Sequence, residues 1–150
     1  MTDSELIIRP ATVAEIPTLL AFWAAAAEGT SITDDPAGLA RLLDRDPEAL
    51  LVATRGTALV GTVIAGWDGW RASVYRLAVD PAHRRQGIGG ALMAAAEQRF
   101  AALGGRRVDA MVLERNAQGQ AAWRSAGYRR EEQWRRWVKP LAAGTTPAAG

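Results

Sequence analysis

The stretch Tyr75-Arg76-Leu77-Ala78-Val79-Asp80-Pro81-Ala82-His83-Arg84-Arg85-Gln86-Gly87-Ile88-Gly89-Gly90-Ala91-Leu92 decides how the chain is read. Its first part belongs to an apolar strand, Ser73 to Val79, which Asp80-Pro81 cuts off because proline cannot continue a ladder. A loop with His83, Arg84, Arg85 and Gln86 comes next. Gly87 then opens a long helix to about Leu103, with an apolar stripe at Ile88, Leu92, Ala96, Phe100 and Leu103 and a stop at Gly104-Gly105. The first amides of a helix have no carbonyl partner, and the helix dipole favours an anion there. Gly87, Gly89 and Gly90 carry no side chain to block close approach, and Arg84 and Arg85 add positive charge. A strand, a Gly-rich turn and a helix in this order make a cradle for a pyrophosphate.

Two other phosphate loops are excluded by the residues after the glycines. A Walker loop requires Lys-Ser or Lys-Thr after its last glycine, and here Ala91-Leu92 stand there. A dinucleotide fingerprint requires Gly-x-Gly-x-x-Gly, and Leu92 occupies the position of the third glycine. The remaining alternative is a Gly-rich turn that only packs helix on strand, which the arginines in front of it argue against.

Outward from this stretch the pattern alternates between the two types of element. Leu6-Ile7-Ile8-Arg9 reads as a strand stopped by Pro10. Thr12 and Glu15 form a capping-box pair ahead of a helix with Val13, Ile16, Leu19, Leu20 and Trp23 at helical spacing, ending at Gly29. Leu39, Leu42 and Leu43 suggest a second short helix, ended by Asp46-Pro47. Ala49 to Thr54 and Ala58 to Trp67 read as a hairpin around Arg55-Gly56, and Asp68-Gly69 as a second turn into the strand Ser73 to Val79. After the long helix come a strand, Val108 to Leu113, a helix from about Ala117 to Ala126, and a last strand, Tyr128 to Val138. The expected order is β-α-α-β-β-β-α-β-α-β, a mixed α/β domain over residues 1–141, with a disordered tail over residues 142–150.

The totals agree with one domain. The chain has 150 residues, about the size of an ordinary domain. It has no cysteine and one histidine, His83. That excludes disulfides, thiol nucleophiles and multi-histidine metal sites, so no metal is expected. No apolar run approaches the roughly 20 residues of a membrane span. The opening Met1 to Glu5 lacks the basic region of a secretory signal, so a cytoplasmic protein with no membrane partner is expected. A net charge of +2 leaves little non-specific attraction for nucleic acid, and no nucleic-acid partner is expected.

The residues Arg84-Arg85-Gln86-Gly87-Ile88-Gly89 match position by position the Arg/Gln-x-x-Gly-x-Gly/Ala signature that comes after an apolar-Ala-Val triplet in the GNAT superfamily of N-acetyltransferases. The chain resembles that superfamily from about Leu6 to Leu141, and is similar to a bacterial branch with Asp-Gly-x-Arg before the central strand, here Asp68-Gly69-Trp70-Arg71. The resemblance implies a mostly antiparallel central sheet flanked by helices, and acetyl-CoA as cosubstrate. It implies that Leu77, Ala78 and Val79 pair by main chain with the pantetheine arm. The pyrophosphate would lie on the amides of Arg84, Arg85, Gln86, Gly87, Ile88, Gly89 and Gly90, and Asn116 and Trp123 would contact the arm. It also admits a homodimer paired through C-terminal strands.

The same resemblance implies transfer of the acetyl group to a primary amine of a small molecule or protein, by direct attack in a ternary complex. At the family's catalytic positions the residues depart from its pattern. The family's proton-donating tyrosine falls on Trp123, whose indole N–H is a hydrogen-bond donor only. Family bases fall on Met111, Ser73 and Tyr75, of which Tyr75 is the candidate for the acid or for orienting a water. Trp23, Glu28, Trp67 and Tyr75 are candidates for the acceptor pocket. A catalytically weak chain that holds acetyl-CoA as a sensor or scaffold is the alternative.

Overall fold

The computed structural model describes residues 5–27, 31–112 and 114–141. β1 (Leu6–Pro10) leads through a single 3-10 turn, Val13–Glu15, into α1 (Ile16–Ala26), and α2 (Pro36–Arg45) comes next. β2 (Leu50–Arg55), β3 (Ala58–Trp67) and β4 (Ala72–Val79) form two hairpins. α3 (Ile88–Ala102), β5 (Val108–Ala110) and α4 (Ala117–Ser125) complete the described elements. The sheet runs β1-β2-β3-β4-β5; the first four strands are antiparallel and β5 is parallel to β4. The mixed α/β order agrees with the sequence pattern, and the mostly antiparallel sheet with what the resemblance implies.

Helices cover both faces of the sheet. Ile88, Leu92, Met93, Ala96 and Phe100 of α3 pack on Leu51, Ala53, Val63, Ala65, Ala72 and Val74. Ile16, Leu19 and Trp23 of α1 and Leu39 and Leu43 of α2 pack on Leu50, Val52 and Ala78 of the opposite face. A strand covered on both faces needs an apolar run rather than alternation, which is why β2 reads Leu50-Leu51-Val52-Ala53 and is buried throughout. α3 sits close to β3 because of Gly61: a Cβ there would come within 2.9 Å of both Ile88 Cγ2 and Leu92 Cδ1. Among the described residues no helix is long and apolar enough to cross a membrane.

Two sequence expectations are corrected. The strand predicted over Tyr128 to Val138 does not form; residues 129–141 are exposed and without regular structure. Its apolar residues explain this. Trp134 and Trp137 are three apart, so a strand would send them to opposite faces, and charged residues fill most of the remainder. The preceding strand shrinks from Val108–Leu113 to Val108–Ala110, and Met111 is exposed; Leu113 lies outside the described residues. The predicted tail, 142–150, also lies outside them, as do Glu28 and Gly29.

The corner between β1 and α1 is fixed by one carboxylate. Glu15 accepts from Arg9 Nη1 at 2.9 Å and Nη2 at 2.7 Å, and from the Thr12 amide at 2.9 Å, the expected reach of a capping-box glutamate. The Arg9 guanidinium, more than the Thr12 amide, holds its carboxyl down to about 2 from an ordinary 4.5. A carboxyl with a depressed folded-state pKa contributes stability above its unfolded value and loses it as the pH falls through the folded value. The pair is partly exposed, so screening limits this to about 1 kcal/mol or less. Urea denaturation of the wild type should therefore show a loss of stability between pH 4.5 and about 2. The Glu15→Gln variant should be less stable at neutral pH and flatter across that window.

Candidate active site

α3 begins with its amides open. Its first helical hydrogen bond runs from the Ala91 amide to the Gly87 carbonyl at 3.0 Å, so the amides of Ile88, Gly89 and Gly90 precede the ladder. No side chain caps this end. Gly87 turns into the helix with φ +79°, a left-handed conformation that suits glycine. Around Gly90 a Cβ would meet nothing within 4 Å. Arg84, Arg85 and Gln86 are exposed in front of this terminus, and Arg85 holds φ +65°. Arg84 Nη1 reaches Gln118 Oε1 of α4 at 3.5 Å, so the loop and α4 border one another. An anion brought here meets main-chain donors, the positive end of a 15-residue helix and two guanidinium groups.

β4 leads to this turn and is open on one side. β5 pairs with it only over Ala72, Ser73 and Val74, and beyond Val74 no described strand covers its outer edge. The inner edge stays paired to β3 through Thr62↔Ala78 and Gly61↔Val79. Between Ile64↔Tyr75 and Thr62↔Ala78, one residue of β3 faces two of β4, Arg76 and Leu77. This is a β-bulge, and Arg76 occupies it with φ +53°. The open outer edge of β4 at Leu77, Ala78 and Val79 leads, through a turn whose Asp80, Ala82 and His83 amides are bonded, to the unpaired amides of Ile88, Gly89 and Gly90. An extended ligand with amide groups and an anionic end suits such an arrangement.

The structure distributes the remaining predicted residues unevenly. Tyr75 projects from the face that carries α1 and α2, since it pairs with Ile64, and its side chain is 53% exposed beside Gly66. Trp67 pairs with Ala72 on the other face, packs on the α3 cluster and approaches Gly105. That corrects its assignment to a pocket shared with Tyr75. Trp23 is also corrected: it is buried between α1 and the sheet, and its Nε1 donates to Thr62 Oγ1 at 2.8 Å. Ile88 is buried as well, so only its amide is open to a ligand. Glu28 lies outside the described residues.

Asn116 caps α4, its Oδ1 accepting from the Gly119 amide at 2.8 Å, which leaves its Nδ2 for any ligand. Trp123 is half-buried against the α3 cluster and meets Tyr128 edge-on at 4.9 Å. Tyr128 donates to Glu97 Oε2 at 2.7 Å. Burial first, and then that carboxylate, raises its phenol above the ordinary range, so Tyr128 holds its proton and serves as a brace between α3 and α4. His83 lies 3.4 Å from the Asp80 carboxylate, within the turn that precedes the cradle.

The residues that sequence reading misses are Asp34, Thr62 and Arg76. The Arg76 guanidinium forms an ion pair with Asp34, its Nε lying 3.2 Å from Oδ1. The one trace of the bulge in the sequence is a slip of period. Apolar residues that face α3 stand at Ala72 and Val74 and then at Leu77 and Val79, a spacing of three where a regular strand keeps two.

The model of the acetyltransferase (GNAT) family matches residues 18–128. The chain belongs to that family. An acetyltransferase of Yersinia enterocolitica is 40% identical over 83 residues, which are 55% of this chain and 59% of that relative. The chain thus spans little more than half of that relative's length. A PaiA N-acetyltransferase from Thermoplasma acidophilum, solved with coenzyme A, superposes with a TM-score of 0.72 over 85% of this chain and 91% of its own, at 18% identity. The enzyme AAC(6')-Iy, solved with a bisubstrate analogue, CoA-S-monomethyl-acetylneamine, gives 0.72 over 92% and 100%, at 19% identity. At such identities the two structures establish the common fold.

Proposed function

We propose that this chain binds acetyl-CoA and transfers its acetyl group to a primary amine by direct attack in a ternary complex. The observation that carries the reading is the junction of an uncapped α3 terminus with the open edge of β4. The diphosphate suits the amides from Arg84 to Gly90, with Arg84 and Arg85 beside them. The pantetheine arm suits Leu77, Ala78 and Val79, whose outer main-chain groups can pair with it as a further strand would. Membership of the family supports this, as do the ligands of the two solved relatives, a coenzyme A and a bisubstrate analogue.

Acetyl-CoA brings an activated thioester; the chain's residues position it and manage the protons. The attacking amine must be neutral, and the departing sulfur gains from a donor. Trp123 can offer no proton and packs on Tyr128. Tyr75 stands on β4 immediately before the bulge with its side chain open to the acceptor, and is the proposed donor. Water at this exposed face takes the amine's proton. The acceptor is a primary amine of a small molecule or of a protein. Assembly belongs to the same proposal: β5 is an edge strand, and Trp134, Trp137 and Val138 are exposed in the segment after α4. A second copy covering them makes the homodimer, which sedimentation would report as a doubled mass.

Acetyl-CoA should raise the melting temperature of the wild type. Gly89→Glu should abolish that rise, because a Cβ at Gly89 fits 3.7 Å from Val79 Cγ2 while the added carboxylate repels a diphosphate. An equal rise in the variant contradicts the assignment. In a CoA-release assay across an amine panel, Tyr75→Phe should lower kcat about a hundredfold, with the Kd for acetyl-CoA unchanged. Binding without turnover on every amine would favour a sensor or scaffold, the reading that Trp123 in place of the family's tyrosine keeps in view.

A further inference from the structure

Arg76 is one of two non-glycine residues with a left-handed backbone among those described, and the other, Arg85, lies in the anion-binding turn. A non-glycine residue in this conformation is strained and persists only where its surroundings hold it. Here both ends of the residue are held. Its carbonyl accepts from Thr62 Oγ1 at 2.8 Å, and that buried hydroxyl in turn accepts from Trp23 Nε1 at 2.8 Å. Its guanidinium pairs with Asp34 and lies 5.9 Å from the Trp23 ring centroid. Asp34 itself is fixed: its amide donates to the Ser31 carbonyl at 3.0 Å, and its neighbour Asp35 caps α2 through the Gly38 amide at 2.6 Å.

We infer that Asp34, Thr62 and Trp23 act through Arg76 as a positioning unit that imposes the β4 bulge and so aims the main chain of Leu77 to Val79 at the ligand. The inference rests on the acetyl-CoA reading of the site. The bulge reverses which side of β4 each residue presents: Ala72 and Val74 face α3, yet Ala78 faces α1 and α2. Main-chain donors and acceptors alternate along a strand in the same way, so the bulge also decides which of them reach the open edge. A relaxed Arg76 would let the strand regularise and turn those groups away. The Asp34 pair further ties the segment ahead of α2, next to the acceptor side of β4, to the binding edge.

Glycine adopts φ +53° without strain, which separates the backbone role of Arg76 from any contact of its side chain. Isothermal titration with acetyl-CoA is the measurement, with folding checked by circular dichroism. Arg76→Ala should weaken binding about tenfold, the factor expected from unsupported left-handed strain. Arg76→Gly should bind within about threefold of wild type, because the bulge then needs no clamp. Asp34→Ala should weaken binding several-fold in the wild type and have no added effect in Arg76→Gly. Arg76→Gly binding as weakly as Arg76→Ala, Arg76→Ala binding as wild type, or Asp34→Ala binding as wild type would each overturn the inference. Should Arg76→Ala not fold, Arg76→Gly and Asp34→Ala decide alone, and a glycine variant bound more weakly than Asp34→Ala sinks it. A wild type without affinity for acetyl-CoA removes the reading of the site; a wild type that binds while Arg76→Ala binds equally removes this inference only.

Discussion

The bulge in β4 is the constraint around which the molecule is arranged. A regular strand has a side-chain period of two, so Ala72, Val74, Arg76 and Ala78 would all face α3. One extra residue moves Arg76 off that face, delivers Leu77 and Val79 to α3 and sends Ala78 to α1 and α2. Both cores are thereby filled by a single strand. The same extra residue stores strain at Arg76, which is sustained by a chain of hydrogen bonds from α1 through Thr62. Packing on one face, polar contacts on the other and the geometry of the open edge are in this way one structural fact.

Electrostatics at the site are local. The net charge of the chain is +2, too small to steer an anion over distance at ordinary salt. What suits an anion is local: the unpaired amides at the start of α3, already oriented because the helix is packed through Ile88 and Leu92. By contrast Arg129 and Arg130, after α4, pair with Glu114, Glu131 and Glu132 on an exposed segment, where such pairs add little stability.

The two tyrosines show how burial assigns roles. Tyr128 is enclosed between α3 and α4 with its hydroxyl on Glu97, and both surroundings oppose its ionisation. Tyr75 stands on the open face of β4, away from any such partner in the described hydrogen bonds, and is exposed to solvent. One ring is held inside the fold and the other stands at its surface. The difference comes from their positions relative to the layers of the fold.

Much of this was legible in the residues. The strand, turn and helix around Arg84 to Gly90 could be read because glycine, proline and the helical stripe act locally, within a few residues of one another. The same holds for β3, whose predicted bounds agree with the structure, and for the Thr12–Glu15 corner. What the sequence could not contain was decided by contacts between distant segments. Trp23 and Trp67 are both tryptophans and nothing local separates them, but the layer each one faces is set by the packing of α1 and α3. The strand expected after Tyr128 has β-favouring residues without the period that would bury one face. Arg76 is the clearest case: nothing in an arginine announces a left-handed backbone. Its conformation exists because Asp34, Thr62 and Trp23, remote along the chain, close around it once the sheet and its helices have come together.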